Sequence, residues 1–144
     1  NNTAHKVTLA GLYWEGGRRE SAVEQIAGIV SADPANEDNR ILAARFYVSK
    51  QRFEEAEQTL KEGIAQKPAS FKLRLVLGEL YVNLKKLPEA IQTLEACLDL
   101  DDDPATPGII QAKNTLARIH LLQGDADKAD AYVDYVLKDN PKRL

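Results

Sequence analysis

The stretch LGELYVNLKKLPEAIQTLEACLDL, residues 77–100, has a near copy upstream, where residues 43–66 read AARFYVSKQRFEEAEQTLKEGIAQ. Superposed at a step of 34, Tyr81 falls on Tyr47, Val82 on Val48, Lys85 on Gln51, Ala90 on Ala56 and Leu94 on Leu60. The step extends outward in both directions. Tyr13, Ala22 and Ile26 continue it toward the start of the chain, and Pro34 pairs with Pro68. A fourth copy carries His120, Ala129, Val133 and Pro141, displaced by 39, so five extra residues lie in the DLDDDPATPG run between copies three and four. Self-similarity at such a period is the mark of stacked supersecondary units. The expected organisation is one domain, 1–144, of four units at about 3–36, 37–70, 71–104 and 110–143.

Within a unit the apolar spacing is that of a helix. Leu73, Leu77, Leu80, Tyr81 and Leu84 recur at three and four residues, then Ala90, Ile91, Leu94, Cys97 and Leu98 repeat the stripe after a polar break. Asn36 and Ser70 are placed to cap first helices with a side-chain oxygen, and Pro88 suits a first turn. Pro34, Pro68 and Pro141 are expected to stop second helices, with Gly17 and Gly124 in the tight turns between paired helices. Alternating β-branched runs are missing, which predicts an all-α fold of about eight antiparallel helices. A single pair cannot cover its own apolar face, so neighbours must stack, and the small residues Ala22, Ala56, Ala90 and Ala129 mark where backbones approach.

Composition narrows the function. Apolar residues make up 44% and charged residues 28% of the 144, and the net charge of −3 comes from mixed signs. Nucleic-acid binding shows as a basic excess, which this chain does not have. No apolar run approaches the roughly 18 residues of a membrane span, and no leader pattern is visible. The chain starts NNTAHK and holds no methionine, which points to a processed product or an excised piece and leaves a cytoplasmic or periplasmic setting open. One cysteine, Cys97, cannot form an internal disulfide.

The period of 34, LGxxY in the third copy, an alanine nine residues on, a large apolar residue four further and then proline together resemble the tetratricopeptide repeat of bacterial proteins. The resemblance covers nearly the whole chain and implies an α-α superhelix. It has departures: a bulky first-helix position often filled by tryptophan is Lys6, Arg40, Arg74 and Lys113 here, His120 replaces the tyrosine, and Asp102 stands where the third copy would end in proline. In such families the first helix of each unit lines a groove that takes a peptide or partner segment. That implies groove positions Val7, Gly11 and Trp14 in the first unit, Ile41, Arg45 and Val48 in the second, Leu75, Glu79 and Val82 in the third, and Asn114, Arg118 and Leu121 in the fourth, with Lys72 on the rim. Each triplet shares one helix face. Trp14 is the anchor candidate, and Arg45, Glu79 and Arg118 form a charged row across an apolar floor. The two-carboxylate clamp of chaperone-tail receptors is disfavoured, since only Lys72 matches it.

Other features read more plainly as structure. The Asp99 to Asp103 run fails as a calcium loop, with Pro104 at the glycine turn and Ile110 at the bidentate glutamate, and a solvated connection ending in a Thr106 cap and Pro107 is expected instead. His120 reads as a packed histidine and Cys97 as an inert buried thiol. Gly-rich phosphate loops, HExxH, CxxC and GxSxG are all missing, so no enzyme, cofactor or metal is expected. The reading is a scaffold or adaptor that binds a protein segment; the alternative is a structural piece of a longer array, or a homo-oligomer formed through its terminal repeats.

Overall fold

The computed structural model describes residues 2–139, with side chains through 134, and across them the chain is all-α, with no strand. The helices are α1 (Asn2–Glu15), α2 (Arg19–Ala32), α3 (Glu37–Ser49), α4 (Phe53–Gln66), α5 (Phe71–Asn83), α6 (Leu87–Leu98), α7 (Pro107–Leu122) and α8 (Ala126–Asp139). Pro141, expected to end the last helix, lies outside the described residues. Two compact units emerge, Asn1–Lys67 and Pro68–Leu144. In the first, α1 packs along α2, α3 along α4, and α2 against α3; in the second, α5 packs along α6 and α7 along α8, with both α5 and α6 against α7.

Local chemistry starts the helices. Asn36 Oδ1 accepts from the Asn39 N–H at 3.0 Å and Ser70 Oγ from the Leu73 N–H at 3.1 Å, each filling an orphan donor of the first turn. Pro88 and Pro107 sit in the opening turns of α6 and α7. Thr106 does stand at the cap of α7, but its hydroxyl donates to Asp101 Oδ2 at 2.7 Å and leaves the helix uncapped by a side chain. Asp125 supplies a cap that the repeat pattern did not announce: its Oδ1 accepts from the Lys128 N–H at 3.1 Å at the head of α8.

The same turn closes all four helix pairs. Arg18, Arg52, Lys86 and Asp125 donate their N–H groups to the carbonyls of Tyr13, Tyr47, Tyr81 and His120 at 2.8, 2.8, 2.9 and 2.8 Å. The residue just before each donor is left-handed: Gly17 and Gly124 at φ 79° and 78°, Gln51 and Lys85 at φ 60° and 58°. Side chains at Gln51 and Lys85 therefore carry a steric penalty of about 1–2 kcal/mol that glycine avoids. After the larger unfolded-state entropy of glycine is subtracted, Gln51→Gly and Lys85→Gly are each expected to raise stability by about 0.5 kcal/mol, read as a higher urea midpoint.

The seam between paired helices is built on small residues. Ala22, Ala56 and Ala90 are wholly buried, as are Ile26, Leu60 and Leu94 four residues on. In the second unit a Cβ at Gly78 of α5 would stand 2.8 Å from Leu94 Cγ and Cδ2, so only glycine admits this approach of α5 to α6. Ala56→Leu and Ala90→Leu are expected to overpack these seams at a cost of about 1–3 kcal/mol, with thermal melts as the check. The five-residue insertion shows in two places. The connection at 99–106 is longer than those at 33–36 and 67–70, and α7 has 16 residues where α3 and α5 have 13.

Candidate functional site

Two of the four basic residues at the family's bulky first-helix position, Arg40 and Arg74, make structural hydrogen bonds. Arg40 is only 3% exposed. Its Nε donates to the Pro34 carbonyl at 2.8 Å and its Nη1 to the Thr59 carbonyl at 2.8 Å, with Glu62 3.7 Å away. The Gln66 amide joins them when its nitrogen is turned to Pro34 O (2.9 Å) and its oxygen to Arg40 Nη2 (3.2 Å). One repeat later Arg74 makes the same reach, Nε and Nη2 to the Pro68 carbonyl at 3.3 and 2.8 Å. Arg40 thus ties α3 to the Pro34 corner and to α4, and Arg74 ties α5 to the Pro68 corner before it. The flat, many-donor guanidinium suits a task for which tryptophan would offer only bulk. Lys113 is buried as well.

The row implied by the resemblance splits by burial. In the first unit Val7, Gly11, Trp14 and Val48 are half-buried and Arg45 is exposed, while Ile41 keeps 8% of its surface. In the second unit Val82 and Glu79 are half-buried, Lys72, Asn114, Arg118 and Leu121 are exposed, and Leu75 keeps 9%. Ile41 and Leu75 are floor, and the others are the reachable surface.

Trp14 lies at the end of α1 with its ring edge-on to Phe46 of α3, centroids 6.2 Å apart at 89°. Arg19 Cζ and Lys50 Nζ stand 5.4 and 5.6 Å from the Trp14 centroid. Trp14 therefore both packs α1 on α3 and presents part of its ring to solvent. The charged row does not act as one set. Arg118 Nη2 meets Glu79 Oε1 and Oε2 at 2.7 and 2.8 Å, with Thr115 Oγ1 donating to Oε1 at 3.4 Å, so α7 and α5 satisfy each other. Arg45 makes no ion pair among the described residues.

The remaining polar features are accounted for locally. Asp101 Oδ1 accepts from the Asp103 N–H at 2.9 Å, and Asp103 Oδ1 from the Ala105 N–H at 2.8 Å. The Asp103 N–H, and after it the Thr106 hydroxyl, hold the Asp101 carboxyl below its ordinary pKa. Among the described residues no group of three or more His, Cys, Asp or Glu is arranged to hold a metal. Burial pushes the Cys97 thiol up to about 11, with Arg74 a small opposing influence, so the reactive thiolate is scarce at neutral pH. His120 is buried and stacks on Tyr132, centroids 5.8 Å apart and planes at 7°, its Nδ1 without a hydrogen bond among the described residues. Sequence spacing does not reveal the cleft of about 390 Å³ between the long connection, α7 and α8, lined by Leu98, Pro104, Ile109, Lys113 and Tyr132 among others. Among the described residues, no helix is long and apolar enough to cross a membrane.

Two family models, each described as tetratricopeptide repeat, match the chain, one over residues 13–70 and the other over 71–104. No curated protein matches it in sequence. Solved structures match its fold. A crystal structure of MamA aligns at TM-score 0.65 and 18% identity, over 92% of this chain and 74% of that one. MamA from Desulfovibrio magneticus RS-1, residue 41 to the end, aligns at 0.67 and 16%, over 98% and 77%. A tetratricopeptide repeat protein from Parabacteroides merdae ATCC 43184 aligns at 0.70 and 14%, over 99% and 55%. With the repeated turn, the alanine seams and two family models that together span well over half its length, this chain belongs to the tetratricopeptide repeat family.

Proposed function

We propose that the chain is a non-catalytic protein-interaction module that holds a peptide or partner segment against the open faces of its first helices. Tetratricopeptide repeats serve in general as protein-interaction scaffolds, and repeat stacks of this kind bind through extended surfaces, not through a single pocket. One observation carries the finer reading. Val7, Gly11, Trp14 and Arg45 stay open to solvent on first helices whose other faces are packed shut at Ala10, Ala43 and Ala44. A partly open tryptophan held rigid by a neighbouring ring suits an energetic anchor, since little side-chain freedom is lost when a ligand covers it.

The test is selection of binding peptides on the immobilised chain, then calorimetry of the best binder with two variants. Trp14→Ala is expected to weaken binding at least tenfold, about 1.4 kcal/mol or more, and Arg45→Glu to weaken it less. Unchanged affinity in both variants places the contact elsewhere. A second reading, self-association, is favoured by one feature. Leu121, Leu122 and Val133 of the last helix pair are 58%, 66% and 38% exposed. Light scattering over a range of concentration separates the two, since a rise in mass that Leu122→Ser abolishes supports self-association.

A further inference from the structure

We infer that the α1 face of the first unit docks an acidic segment of a partner protein. An apolar side chain of that segment would fill the notch at Gly11 beside Trp14, and its carboxylates would face Arg19 and Lys50. This rests on the interaction-module reading and names the chemistry of the partner.

Three residues in and around this face are peculiar to the first copy. Trp14 occupies the position of Val48 and Val82, Arg19 that of Phe53 and Leu87, and Ser21 that of Glu55 and Glu89. The last exchange matters most. In the second copy Arg52 is held by Glu55 through paired contacts of 2.5 and 2.6 Å, with Glu20 reaching it at 3.8 Å. In the first copy Arg18 has only Ser21 at the matching place and lies instead over the Tyr13 ring, 4.6 Å from its centroid. Arg18, Arg19 and Lys50 form no ion pair among the described residues. Arg18 caps and Arg19 opens α2, where the helix dipole is already positive. Cations there raise the electrostatic cost of the free fold, and an incoming carboxylate would relieve it. Glu20, next to Arg19 in the first turn of α2, reaches Arg52 at 3.8 Å instead, and Glu15 makes no ion pair among the described residues.

The notch is equally specific. Gly11 lies inside α1, three residues before Trp14 on the same face, and a Cβ built there meets nothing within 4 Å. No neighbour demands a glycine, and a mid-helix glycine is less favourable than alanine by about 1 kcal/mol. Its place on the open face leaves room for something that approaches the α1 backbone.

The experiment is selection from a random dodecapeptide library on the full chain. The enriched peptides are expected to be net acidic with a large apolar residue, and to shift the emission of Trp14, the only tryptophan. Raised salt should weaken them. Arg19→Glu and Lys50→Glu should each lower affinity at least tenfold, and so should Gly11→Gln, a variant that melts no lower than the parent. Neutral or basic winners, or acidic winners indifferent to these three changes, overturn the inference. If Trp14→Ala alone abolishes binding of such winners, the interaction-module reading stands without the acidic partner. If nothing is enriched, or every winner ignores Trp14→Ala, both fall. A short DNA duplex that binds as tightly as the best peptide also overturns the inference, marking a general polyanion surface.

Discussion

Leu94→Ala is expected to lower stability by about 3–4 kcal/mol, while the repeat-equivalent Val133→Ala costs under about 1 kcal/mol. The two residues share one place in the repeat and differ in surroundings. Leu94 is wholly buried and lies against the backbone at Gly78, so its loss opens a cavity that a glycine opposite cannot fill. Val133 remains 38% exposed, so water already reaches the space that its methyl groups occupy. Leu60→Ala should resemble Leu94→Ala, since Leu60 is buried in the same way within the first unit. Urea denaturation followed by far-ultraviolet circular dichroism measures all three. A large loss at Val133, or a small one at Leu94, would contradict the burial assigned to this row.

Arg40→Ala is the second large effect, expected at about 3 kcal/mol. The substitution removes a buried cation together with its donors to the partly buried Pro34 and Thr59 carbonyls. Arg40→Lys should recover less than half of the loss, because one ammonium is poorly shaped to span the Pro34 carbonyl before α3 and the Thr59 carbonyl of α4. Arg74→Ala is the control. Arg74 reaches only the Pro68 carbonyl and is partly exposed, so about 1 kcal/mol or less is expected. Trp14 fluorescence follows the Arg40 series well, since both residues belong to the first unit.

Most of the fold was legible because it is written in local chemistry. The alanines at a step of 34 announce the seams, Asn36 and Ser70 announce their caps, and Gly17 and Gly124 announce left-handed turns. Gln51 and Lys85 occupy that turn with side chains, so nothing in their identity reveals the conformation; only their register with Gly17 does. Arg40 and Arg74 looked like departures from a bulky position. Each has a carbonyl partner six residues upstream, and that pairing exists only after the Pro34 and Pro68 corners have formed; Arg40 has a second in α4. The site was legible as a row of positions and not as a surface. Spacing alone cannot tell that Ile41 and Leu75 are covered by neighbouring helices, or that Glu79 and Arg118 neutralise each other. Nor does it show that Arg19 and Lys50, distant in sequence, both stand near one indole.

The lengthened connection at 99–106 bears on how this chain tolerates change. The α6–α7 contact forms despite the added residues, and the entropy of closing a loop grows only slowly with its length. That makes the aspartate-rich bend the natural port for grafting: a tag, an epitope or a whole guest domain spliced there would hang outside the helical masonry, leaving the courses beneath it to set as before.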